Sequence, residues 1–196
     1  MGVAAMSRVR IAVFGLLAGL VLSGPASAAL PGRDTLNAAK DAASGALGRL
    51  NAEITVHTRN FVAEYSINDL YVIEAARIAQ LRSSSPRVRA AAASLAADAR
   101  ISESELQRLL RSYNVDAVPA TALDFRRRGM IGDLNATAGF DRRYIAQQVQ
   151  AKTEQRILLR RYAGNGKIVA VKQFADRRLQ RVEDLLLTVR HLQRGA

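Results

Sequence analysis

Cysteine and tryptophan are both absent from this 196-residue chain. No disulfide framework, thiolate metal site or cysteine nucleophile can therefore be built, and a packed apolar interior must hold the fold together. Histidine occurs only twice, as His57 and His191. The two lie far apart, and no Glu-x-x-His pair of the di-iron bundle kind exists. Phenylalanine and tyrosine number five each, which leaves few rings on which single-stranded nucleic acid could stack. Prolines stand only at 25, 31, 86 and 119, so long stretches run without a helix breaker. The one sustained apolar run, Ile11–Leu22, is too short for a comfortable transmembrane helix, which needs about 20 residues.

What is present begins with that run. Arg8 and Arg10 precede it and Ala26-Ser27-Ala28 follows it, the n-region, apolar core and small-x-small site of a secretory signal peptide. Residues 1–28 are expected to be cleaved, with retention as an anchor the alternative. No cysteine follows the core, so a lipoprotein anchor is excluded, and the periplasm is the expected location. The remainder, about 168 residues, suits one domain, and its abundant alanine, leucine and arginine favour helix. The formal charge is +12 and becomes +10 without Arg8 and Arg10. The excess sits late: residues 29–120 carry 11 basic and 10 acidic side chains, against 16 and 7 in 121–196. Such an excess either attracts an anionic envelope component, membrane surface or acidic protein, or is simply a solvated helix surface.

Apolar spacing of three and four residues predicts the elements. Residues 33–57 form a leading helix or arm, weakened by Gly45 and Gly48. A helix capped by Thr58 or Asn60 runs to Leu81 with Phe61, Tyr65, Val72, Ala76 and Ala79 on one face. Ser85 caps the next helix and Pro86 opens it. Its stripe is Val88, Ala92, Leu95, Ala99, Ser102, Leu106, Leu109 and Tyr113. A loop with Pro119 leads to a short helix over 121–135. A helix over 140–162 is stopped by Gly164-Asn165-Gly166, with a left-handed cap. The last, 168–192, carries Ile168, Val171, Ala175, Leu179, Val182, Leu186 and Val189. Two hairpins joined by a longer connection give an all-α bundle of four helices.

The run Phe140-Asp141-Arg142-Arg143-Tyr144 carries more than periodicity. With Phe61-Val62, Ala79, Ser85-Pro86-x-Val88, Asp98, Leu106, Phe174-Ala175 and Leu179, it resembles a bacterial family, domain of unknown function 4142, over residues 60–193. The resemblance implies a ferritin-like four-helix bundle over 58–193, with 29–57 as an N-terminal arm outside it. Three histidines that recur in that family would fall at 99, 152 and 185, where this chain has Ala99, Lys152 and Leu185. A further departure is Leu179-Gln180, where the family has Leu-Pro.

Without those imidazoles a metal site has little to stand on. Glu64, Glu74 and Glu103 could face inward, but three scattered carboxylates lack partners on the later helices. His57 and His191 read as surface residues. Lys152, if it faces inward, has a lowered pKa when unpaired or instead pairs with a glutamate from another helix; otherwise its stem snorkels to the surface, which is the simpler expectation. Arg156 and Arg160, like Arg177 and Arg181, are one turn apart and form candidate anion-binding pairs. No catalytic triad, P-loop or dinucleotide fingerprint can be assembled. The sequence thus predicts an exported, non-enzymatic binding or structural bundle without cofactor. A metal-handling protein with a carboxylate site and a polyanion or membrane-surface binder are the rivals.

Overall fold

The computed structural model describes residues 33–194; the signal-like segment 1–28 lies outside them. The chain divides into two units, Met1–Asp41 and Ala42–Ala196, and the site lies in the second. Among the described residues there are five α-helices and no strand: α1 Arg33–Arg82, α2 Pro86–Ser112, α3 Phe125–Ala136, α4 Phe140–Asn165 and α5 Val169–Arg194.

Helix α1 is continuous through the place where a cap was expected. Thr58 and Asn60 lie inside it, and Thr58 is buried with its hydroxyl 2.7 Å from that of Tyr162. Gly45 and Gly48 each cost a helix only about 1 kcal/mol, and no proline intervenes between Pro31 and Pro86. The expected break was therefore not imposed by anything in the chain. Ser85 does cap α2: its Oγ accepts from the Val88 N–H at 3.3 Å, with Pro86 in the first turn. The α2 stripe ends on Leu110, not Leu109 and Tyr113; Leu109 is half-buried and Tyr113 exposed. At 3.6 residues per turn, the fourth residue after Leu106 returns closer to its face than the third.

Asp124 caps α3 by accepting from the Arg127 N–H at 2.6 Å. Helix α4 runs through Gly164 and Asn165, so the predicted left-handed stop is corrected. No described glycine has positive φ; Asn114, beyond α2, does at 47°. Gly166 is needed for room instead, since a Cβ there would come within 2.4 Å of the Tyr162 ring.

The helices pair antiparallel where side chains meet. Gln80 and Tyr65 of α1 meet Arg89 and Ser102 of α2. Asn68 and Tyr71 of α1 meet Ala151 and Gln147 of α4. Asp98 of α2 meets Arg178 and Arg181 of α5, and Arg160 of α4 meets Glu183 of α5. Two apolar clusters result. One gathers Tyr71–Ala79, Val88–Ala99, Phe140–Ala151 and Leu185–Val189 positions, the other Phe61–Tyr65, Leu106–Leu110, Leu159–Tyr162 and Val171–Val182 positions. Between them on α1, α2 and α4 lie buried polar residues, among them Asp69, Ser102, Lys152 and Gln155.

Candidate functional site: a buried polar layer

Lys152 lies at the centre of this layer, fully buried on α4. The expectation that its stem would snorkel is overturned, because its face of α4 is covered by α1 and by its own neighbours. Its Nζ donates to Gln155 Oε1 at 2.8 Å, and Gln155 Nε2 donates to Asp69 Oδ1 on α1, also at 2.8 Å. The amide thus stands between a cation and an anion and satisfies one end of each. Burial lowers the Lys152 pKa, against the opposing pull of Asp69 and Asp98. Burial also pushes Asp69 up from 3.8 to about 6, although the Lys152 charge and the hydrogen bond from Gln155 favour its charged form. Both shifts name the same cause: loss of water is only partly offset by the partner.

A second cluster adjoins the first through Ser102. Its Oγ lies 2.5 Å from the Tyr65 hydroxyl, which accepts from Arg178 Nε at 3.3 Å. Arg178 also donates to Asp98 Oδ2 at 2.5 Å, and Arg181 Nε reaches Asp98 Oδ1 at 3.0 Å. Asp98 is therefore clamped by two arginines of α5. Several buried atoms remain without partners, including Asp69 Oδ2, Tyr144 Oη and both amide atoms of Gln148.

The predicted anion-binding arginines do not form a free cationic face. Arg160 pairs with Glu183 at 2.9 Å, Arg177 with Glu105 at 3.0 Å and Arg181 with Asp98. Arg156 is half-buried, and its Nε has no partner. The three glutamates do not converge either. Glu64 is exposed, Glu74 binds Arg77 on the same helix, and Glu103 accepts from Ser66 and Gln107 at 2.9 Å each. Both histidines are exposed. His57 stacks on Tyr162 at 5.4 Å, and His191 Nδ1 lies 2.8 Å from an Arg194 nitrogen.

Sequence reasoning missed Asp69, Gln155 and Arg178. A signal existed: the apolar face of α1 skips from Tyr65 to Val72, and Asp69 stands in that gap. On α4, Gln148, Lys152 and Gln155 recur at spacings of four and three, a polar stripe on a helix that also carries an apolar one. Its chemistry is legible only with its neighbours in place.

The Phe140–Tyr144 run forms a junction. The Phe140 and Tyr144 rings lie 5.9 Å apart, and the Arg82 guanidinium sits 5.3 Å over Phe140. Arg82 also donates to the carbonyls of Leu134, Asn135 and Thr137. The end of α1 is thereby tied to the end of α3 and the start of α4, and two orphan carbonyls of α3, those of Leu134 and Asn135, are satisfied. The sequence model described as Domain of unknown function (DUF4142) matches residues 38–192. The chain belongs to this family. The match starts well before residue 60, so much of the leading segment, read from the sequence as lying outside the family region, is inside it. No curated protein and no solved structure matches the chain.

The three positions where the resemblance placed family histidines are all interior: Ala99 and Lys152 fully buried, Leu185 nearly so. Ala99 and Leu185 belong to an apolar cluster and carry no donor atom. The Lys152 ammonium must lose its proton before it could ligate. Among the described residues no group of three or more His, Asp or Glu side chains could hold a metal ion. The residues present at these positions do not fit the histidine ligand set that the family resemblance suggests.

Proposed function

We propose that this chain is an exported, periplasmic, non-enzymatic bundle with a structural or binding role at the cell envelope, its interior sealed by charge pairing. The observation that carries this reading is Lys152, fully buried and linked through Gln155 to Asp69, where a ligand-binding residue would otherwise project. The ferritin-like four-helix arrangement is supported by the pairings: α1 and α5 each meet both α2 and α4, and α3 lies in the long connection. Export rests on the pattern Arg8, Arg10, Ile11–Leu22 and Ala26-Ser27-Ala28. The absence of an enzymatic role rests on the exposed, separated histidines and on a lysine shut away from substrate.

Protein purified from the periplasm without chelator tests the reading. Its mass should correspond to a start near Ala29, and metal analysis should find no stoichiometric ion. An intact N-terminus in the membrane fraction would refute export. A bound metal lost on Asp69→Ala would replace the structural reading with the metal-handling one.

A further inference from the structure

The walls of one cleft are left with unused polar groups. It opens between α1, the start of α3 and α4, with a volume of about 410 Å³, within the range of small-molecule sites. Its lining carries three arginines (126, 127 and 161) and three carboxylates (Asp124, Glu64 and Glu154). This balance disfavours a polyanion. Most of these charges are already engaged. Arg126 grips Glu154 with two hydrogen bonds of 3.0 and 2.7 Å, Arg127 adds a contact at 3.1 Å, and Asp124 caps α3.

What remains is one group of each sign and two buried atoms. Glu64 and Arg161 are exposed and have no ion pair among the described residues. Asn68 is 2 % exposed; its Nδ2 donates to the Ala151 carbonyl at 3.0 Å, which fixes the amide orientation, and its Oδ1 has no partner. Arg127 is 5 % exposed, its guanidinium lies 5.7 Å over the Tyr71 ring, and its Nε has no partner. A buried acceptor and a buried donor left unpaired cost stability until something satisfies them. Ile67, Ile157 and Leu158 supply the apolar part of the lining.

We propose that this cleft binds a small zwitterion with an apolar side chain, an amino acid or dipeptide. The ligand ammonium is taken by Glu64 and Asn68 Oδ1, and its carboxylate by Arg161 and Arg127 Nε. An ammonium has only donors and matches the two acceptors. A carboxylate has only acceptors and matches the two donors. The engaged Arg126–Glu154–Arg127 cluster holds α3 against α4 and keeps the cleft open. This goes beyond the sealed core of the previous subsection, and either can fail alone.

Calorimetric titration of the full chain with L-leucine and with L-leucyl-L-leucine tests the site, the tighter of the two fixing the ligand length. N-acetyl-leucine, lacking the ammonium, and leucinamide, lacking the carboxylate, should each bind about tenfold more weakly or worse, one charge-assisted contact being lost. Arg161→Gln should weaken leucine binding while leaving leucinamide unaffected, and Glu64→Gln should do the same for N-acetyl-leucine. Both side chains are exposed, so these variants should fold. No binding of either zwitterion at millimolar concentration overturns the proposal. So does equal binding of the one-ended analogues, or inorganic phosphate binding more tightly than leucine.

Discussion

A lysine ammonium deprived of water is disfavoured by several kcal/mol unless its charge is answered nearby. In this chain the answer to Lys152 comes from Asp69 by way of the Gln155 amide. Removing one member strands the other, and the cost is larger than the net worth of the pair. Lys152→Met should therefore lower stability by about 3–5 kcal/mol at neutral pH, read from urea unfolding. Lys152→Met combined with Asp69→Asn should recover most of that loss, because neutral groups of similar size then fill the layer. Equal loss in the single and double variants would show that Asp69 does not answer Lys152. The same residue sets a pH dependence. Asp69 has a folded pKa of about 6 against an ordinary 3.8. Below 3.8 both states hold the proton; between the two values only the native state does. Raising the pH through that window favours the unfolded chain by about 1.4 kcal/mol per unit, and above about 6 the effect is constant. Compared with the double variant, the wild type should thus lose stability from pH 4 to 6, the reverse of a salt-bridged surface aspartate. A difference that rises across that window would contradict the assigned direction.

Individual helices owe their limits to short-range chemistry and their faces to neighbours. Helix α2 starts at Pro86 because Ser85 accepts a first-turn N–H and proline needs none. Its buried line passes through Leu95, Ala99, Ser102, Leu106 and Leu110, so the leucine that matters beyond Leu106 is one place later than spacing suggested. Leu106→Ala should cost about 2–5 kcal/mol in denaturant unfolding. Leu109→Ala should cost clearly less, since Leu109 is only half-buried. A Leu106 effect under about half a kcal/mol, or a larger one at Leu109, would mean the face is misassigned. At the end of α4, Gly166 lies against the Tyr162 ring. Its small size is used there, and its tolerance of left-handed backbone is not.

At the scale of the molecule, two apolar clusters separated by buried polar residues hold the helices in register. A register slip along any of the four long helices would move a charge into an apolar layer. Such a layer specifies pairing more than it adds stability. Metal should not contribute. The melting temperature should not rise with zinc, copper or iron, because only a ligand that prefers the folded state stabilises it, and the positions 99, 152 and 185 hold no ready donor. A rise that disappears in Glu103→Ala would instead place a carboxylate site on α1 and α2.

The all-α class, the Ser85 cap, the α5 stripe, the α2 stripe as far as Leu106 and the Phe140–Tyr144 run were legible from the residues alone. Helix periodicity and caps depend on neighbours within a turn, so they are written locally. The continuity of α1 through Thr58 was not legible, since a capping residue acts only where the preceding chain has left the helix. Nor was the fate of Lys152. A lysine stem can reach solvent from many helix faces, and only the packing of α1 against α4 closes the routes. Asp69 and Lys152 stand 83 positions apart in sequence. What joins them is Gln155, one turn from Lys152 on α4, and the antiparallel register that sets α1 against it. Local chemistry decided which segments became helices; the tertiary structure decided which of their polar residues lost water together.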